Sequence, residues 1–382
     1  MKKNCLLWLL VAAMAMTSCQ DEFIKNENKT SDKIGYSVVT TDISSPYKAR
    51  SGESVGTKQV EIDDLDGTVD GKQVYLHTIT DMVMPMDIKS LKKDAQPQSR
   101  GAVNTTAGIL ASDTEIGVTS IVWNGDAWED DDEKKLYMDN LPCESPDFKT
   151  NFYWPAAEDY IRFFAYYPYG AVTINETDKT NPEIEWEVPA TVTEQHDLLV
   201  ASANYPGNYK SKATLNFTHA MTGVQFKLAA GLSGVKVNKV EIEGVYYKGV
   251  YTYDYDASTV TTTDDDVVLY SDGGKWEVNT TATTNFEVAG PTTASDGNQM
   301  TINDGENTFM MMPQDLPDGA KINVYITDAH GSETLTASLK DKVWNKGTKV
   351  TYVLTFNGKD IVVSVDGNPG WSGAGGTINA GF

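Results

Sequence analysis

Apolar residues in this chain almost never recur at the three-to-four-residue spacing of an amphipathic helix. They fall instead in short runs rich in Val, Ile, Thr, Tyr and Phe, closed off by Gly, Asp, Asn and Pro. That pattern belongs to half-buried strands joined by turns. The runs include IGYSVVTT (34–41), KQVYLHTIT (72–80), IGVTSIVW (116–123), YIRFFAYYP (160–168), EIEWEVP (183–189) and DLLVASA (197–203). They continue with ATLNFTH (213–219), TGVQFKLA (222–229), KVEIEGVYYKGVYTYD (239–254), FMMMP (309–313), KINVYITD (321–328), KVTYVLTF (349–356) and DIVVSVD (360–366). In the last, Ile361, Val363 and Val365 share one face while Ser364 and Asp366 share the other. The fold class is therefore all-β, with sheets packed face to face. An apolar content of 40% over 382 residues suffices for two such domains. The turn-rich stretch 201–214 sets the expected boundary near residue 206, giving domains 34–206 and 207–382, with the acidic run 264–266 as the rival position. Residues 43–70 and 85–104 read as linkers, dominated by Ser, Lys, Asp, Gly and Gln.

The chain opens with Lys2 and Lys3, an apolar run from Leu6 to Met16, and small residues ahead of Cys19. This is an export signal over residues 1–18, too short for a membrane span. The residues before Cys19 resemble a bacterial lipobox, which implies cleavage there and a lipid anchor on Cys19 in the outer membrane, followed by a polar tether over 19–33. Losing residues 1–18 removes two lysines and no acid, so the formal charge moves from −23 to −25. Such a surface repels nucleic acid. Only Cys19 and Cys143 then remain as cysteines, which excludes a disulfide framework and leaves Cys143 as an inert buried thiol.

Residues that could carry chemistry have simpler readings. Glu183 with Glu185, and Glu241 with Glu243, sit two apart on strands and so share one wet face. The run WEDDDEKK (128–135) has oxygen ligands for calcium but not the glycine-punctuated spacing of a calcium loop. His196 beside Asp197, or His219 with Ser211 or Ser271, would be parts of a triad only with an orienting partner that the spacing does not supply. The four histidines have no metal spacing, and no phosphate loop or G-x-S-x-G turn occurs. Neither an enzyme, a cofactor nor a metal is expected. Of the tryptophans, Trp123, Trp186 and Trp344 belong to strand runs and read as core, whereas Trp128 and Trp371 lie in polar or glycine-rich surroundings. Those two are the candidate contacts for a glycan or a host protein.

Arginine is used three times against 28 lysines, at Arg50, Arg100 and Arg162. Arg50 and Arg100 fall in the two linkers, and Arg162 falls inside a strand run where no protease would reach it.

Several stretches, in order, resemble the Bacteroidales fimbrillin family, the type V pilins with FimA-like and Mfa-like members. They are YIRFFAYYPYG, IEWEVPATVTEQHDLLVA, ATLNFTHAMTGVQFKL, VNKVEIEGVYYKGVYTYD, FMMMPQDLPDGAKINVYI and VWNKGTKVTYVLTF, spanning roughly 150–371. The resemblance implies two tandem transthyretin-like β-sandwich domains, export as a lipoprotein, and assembly with other fimbrial subunits on the cell surface for adhesion. It also implies a cut by an arginine-specific surface protease, carried here onto Arg100 and Gly101 with Arg50 as second choice. Residues 34–100 would then be a removable propeptide whose lost strand is KQVYLHTIT, with or without IGYSVVTT. A strand of another subunit would take its place. Four inward side chains of such a strand contribute ~6–12 kcal/mol, the scale of a whole domain's stability. A monomeric surface lipoprotein that binds glycan or host protein is the competing expectation.

Overall fold

The computed structural model describes residues 33–40, 59–69, 71–81, 114–124, 134–145, 147–156, 159–253, 260–262, 268–270, 274–355, 362–364 and 377–379. Among them there is no α-helix, only strands and two single 3₁₀ turns, Val192–Glu194 and Gly305–Asn307. The chain is all-β.

The first sheet runs Lys135–Glu144, Glu115–Trp123, Tyr160–Tyr167, Leu199–Pro206, Ala213–His219, β1 (Lys33–Thr40) and Lys149–Tyr153. Its two outermost strands meet again, because the Tyr137 hydroxyl donates to the Tyr153 carbonyl at 2.6 Å and the Tyr137 and Phe152 rings lie 5.4 Å apart. The sheet therefore curls around a core that holds Tyr36, Phe148, Trp154, Phe163 and Tyr205.

Its central strands are buried on both faces. Along Tyr160–Tyr167, the residues Ile161, Phe163, Ala165 and Tyr167 enter that core, whereas Phe164 and Tyr166 enter a second one. This is why the run lacks alternation: strands covered on both sides read as continuous apolar sequence. The cover on the second face is a small sheet of Gly274–Val278, Lys248–Tyr253, Glu183–Glu187 and Ile174–Asn175. Tyr253 fastens it, packing on Phe164 at 5.3 Å and donating to the Ala165 carbonyl at 2.8 Å.

The other large sheet runs Thr283–Ala289, Lys236–Tyr246, Lys321–Asp328, Gly331–Ser338, β2 (Gln59–Val69), β3 (Lys72–Asp81), Lys349–Thr355 and Thr222–Leu228. Met300–Thr301 and Phe309–Met311 both add to Thr222–Leu228.

Two sequence expectations change here. Residues 59–69 form a strand rather than a linker, because pairing with β3 outweighs their acidic composition. The run 239–254 is two strands broken at Tyr247, one in each of two different sheets. Pairing also crosses both expected boundaries: Leu199–Pro206 binds Ala213–His219 and Val268–Tyr270, and Lys248–Tyr253 binds Glu183–Glu187. β2 and β3, grouped by sequence with residues 34–206, lie in the sheet of residues 222–355.

Candidate functional site

The N-terminal strands fill two seams in the rest of the chain. β1 lies between Ala213–His219, to which it is parallel with Tyr36 opposite Ala213, and Lys149–Tyr153, to which it is antiparallel. Among the described residues β1 is the strand with which Lys149–Tyr153 shares a backbone ladder in that sheet. Ile34, Tyr36 and Val38 alternate into the core at 0, 1 and 3% exposure. The Tyr36 ring meets Phe163 edge-on at 5.3 Å, and its hydroxyl points at Met138 Sδ, 3.7 Å away. Burial, and then the neighbouring Cys143, hold the Tyr36 hydroxyl well above its ordinary pKa. At the strand's start Thr150 Oγ1 donates to the Ile34 carbonyl at 3.1 Å.

The second seam takes a hairpin. Val69 opposite Lys72 leaves the two-residue connection Asp70-Gly71, and Gly71 has φ 70°, the left-handed backbone such turns need. β3 pairs along its length with Lys349–Thr355, placing Leu76 opposite Leu354. β2 carries a bulge between Asp64 and Thr68, with Gly67 at φ 117°, and within it Asp66 meets Thr336. Pairing with β3 resumes at Thr68, so the bulge interrupts that ladder only where the strand's other edge meets Gly331–Ser338. A Cβ on Gly67 would come within 2.9 Å of the Leu335 side chain. Leu65, Val69, Val74 and Leu76 are all buried to 2% exposure or less. Two polar contacts clamp the outside: Lys342 Nζ to Asp63 Oδ1 at 3.1 Å, and the Thr68 amide to Glu333 Oε1 at 2.7 Å. Without the hairpin the sheet order parts into two halves, one ending at Gly331–Ser338 and the other at Lys349–Thr355.

The energies are large. Three buried side chains of β1 contribute ~5–9 kcal/mol, and the four of the hairpin ~6–12 kcal/mol. Each sum rivals the ~5–15 kcal/mol that holds a whole domain folded. An unfilled seam would also expose two strand edges with unpaired amides and carbonyls.

The processing and lipid positions, Cys19, Arg50, Arg100 and Gly101, lie outside the described residues, as do Trp128 and Trp371. Of the calcium candidate 128–135 only Lys134 and Lys135 are described. Among the described residues no group of three or more His, Cys, Asp or Glu is arranged to hold a metal. Arg162 is 1% exposed, with its guanidinium 5.3 Å from the Phe164 ring centroid, so it is out of a protease's reach as expected. Cys143 is 1% exposed, and burial pushes its thiol pKa to about 12. Trp186 and Trp344 are core, at 7 and 1% exposure, whereas Trp123 is half-buried and donates to Asn204 Oδ1 at 3.2 Å.

The paired glutamates share wet faces. Glu241 accepts from the Tyr325 hydroxyl at 2.7 Å, and Glu243 binds Lys321 at 3.0 Å, whose hydrogen bond lowers its pKa. These are cross-strand contacts, not an acid–base pair. Asp197 pairs with His219: Nδ1 of His219 lies 2.9 Å from the carboxylate, and both side chains are buried. Nε2 of His219 has no hydrogen-bond partner among the described residues.

Sequence reading missed β2, and with it the hairpin. The signal was the Asp70-Gly71 pair between alternating runs, outweighed by the acids of Glu61 to Asp66.

The class defined by this geometry is an all-β protein whose two large sheets are each completed by strands from the first hundred residues. The family model described as fimbrillin-like matches residues 101–369, and the chain belongs to that family. No curated protein matches it. Among solved structures, a candidate cell adhesion protein from Bacteroides ovatus is 15% identical with a TM-score of 0.41, over 86% of this chain and 96% of its own. One from Bacteroides uniformis is 18% identical with a TM-score of 0.36, over 64% and 88%. A third, from Bacteroides thetaiotaomicron, is 16% identical with a TM-score of 0.37, over 70% and 90%. Among the described residues no helix is long and apolar enough to cross a membrane.

Proposed function

We propose that this chain is the precursor of a fimbrial structural subunit that serves adhesion at the cell surface. In this reading it is exported as a lipoprotein anchored through Cys19 and cut by an arginine-specific protease between Arg100 and Gly101, with Arg50 the second choice. The observation that carries the proposal is the placement of β1, β2 and β3: all three lie ahead of Arg100, and each completes a sheet of the part that follows. Removing them leaves two open seams whose ~5–12 kcal/mol apiece must be restored by a strand from another subunit. The match to the fimbrillin-like family begins at Gly101, the residue after the expected cut. At the C-terminus the run 360–366 has the alternation a donor strand needs, whereas the glycine-rich tail after it is a poor strand former. The role is structural rather than catalytic.

The test is the N-terminal residue of the surface protein, by intact mass, in the wild type and in Arg100→Ala. A start at Gly101 with large heat-resistant assemblies, both lost in the variant, is the expected result. A lipidated Cys19 start in both proteins would overturn the proposal.

A further inference from the structure

We infer that the cut alone opens neither seam, because the severed leader (the chain ahead of Gly101) stays docked as a two-site ligand whose hairpin anchors it to the second sheet. This deepens the reading above and rests on a cut that separates the leader from the body.

β1 ends at Thr40 and β3 at Asp81, both far ahead of Arg100, so cleavage there breaks no strand pairing at either seam. The two sites are separate. Ile34, Tyr36 and Val38 pack into one core, whereas Leu65, Val69, Val74 and Leu76 pack into the other. Loss of one contact therefore leaves the other intact. Residues 41–58 join the two sites in one chain. While the hairpin is docked, β1 rebinds as an intramolecular partner at an effective concentration on the order of millimolar, which strengthens retention by about 10²–10⁴-fold over either site alone. The hairpin is the stronger anchor, with the Lys342–Asp63 and Glu333–Thr68 contacts in addition to its apolar side chains. A single competing strand in the β1 seam would leave the leader attached, so full opening needs an incoming segment that contests both seams. The leader thus guards against premature assembly after cleavage.

The experiment uses the full mature chain with a site for a sequence-specific protease inserted between Asp81 and Thr114, so it does not depend on whether Arg100 is the natural site. After cutting in native buffer, size exclusion with intact mass reads leader retention, and a thiol reagent reads Cys143, which is buried in the core that Tyr36 of β1 helps to fill. In the wild type the leader co-elutes with the body and Cys143 stays unreactive. In Tyr36→Ser, Cys143 reacts while the leader still co-elutes. In Tyr36→Ser with Leu76→Ser, the leader is lost at least about 10²-fold faster. As a check that needs no substitution, a labelled peptide of residues 33–40 in excess should join the cut wild-type complex without expelling the leader. Free leader immediately after the cut, leader lost from Tyr36→Ser alone, or leader expelled by the peptide would each overturn the inference.

Discussion

Truncating Leu76 to alanine tests whether β3 belongs to the sheet of the second core. Leu76 is fully buried and sits opposite Leu354, itself 1% exposed, on the strand that continues that sheet. A buried Leu→Ala change costs about 2–5 kcal/mol, from lost transfer energy and the cavity left behind. The hairpin enters from outside the run of residues 222–355, so the cost falls on its docking. Amide hydrogen exchange at Lys349–Thr355 reads that docking directly, since those amides and carbonyls face β3 on one side and Thr222–Leu228 on the other. At 1.4 kcal/mol per tenfold, 2–5 kcal/mol means protection falls by about 30- to 4,000-fold. Amides of Tyr160–Tyr167, in the other large sheet, should hold their protection, because β3 does not pair there. Unchanged exchange along Lys349–Thr355, or an equal loss in both sheets, would refute the assignment of β3 to this seam.

Gly117→Ala should destabilise the first sheet by about 1–3 kcal/mol through overpacking, because a Cβ there would sit 2.2 Å from the Tyr166 ring; thermal unfolding would show it as a lowered Tm. Stability should be flat from pH 7 to about 9 and fall between about 9 and 12. Burial raises the Cys143 thiol from 9.0 to about 12, and the hydroxyls of Tyr166, Tyr167 and Tyr205 from 10.0 to about 12. Over that interval the unfolded chain has released protons that the folded chain still holds, so rising pH favours unfolding. Denaturant midpoints measured from pH 7 to 11.5 would show the decline, and a midpoint that rises above pH 10 would contradict it.

The alternating runs, the scarcity of helical spacing and the turn residues determined the all-β class, since a period of two with Gly, Asp and Asn at its ends suits only strands. The same local information marked β1, β3, the buried Cys143 and the inaccessible Arg162, each of which depends mostly on its own strand's pattern. Tertiary structure decided what the period cannot encode, namely which strand pairs with which. A strand's partners are set by contacts between residues far apart in the chain. Accordingly Asp197 pairs with His219, 22 residues away, and Lys248–Tyr253 lies beside Glu183–Glu187. β2 is the clearest case: its acids read as linker, yet Leu65 and Val69 are buried and Asp63 finds Lys342 only once the hairpin is seated. That β1 completes one sheet while β2 and β3 complete another could come only from those long-range pairings, because nothing in a strand's own sequence names the edge it will meet.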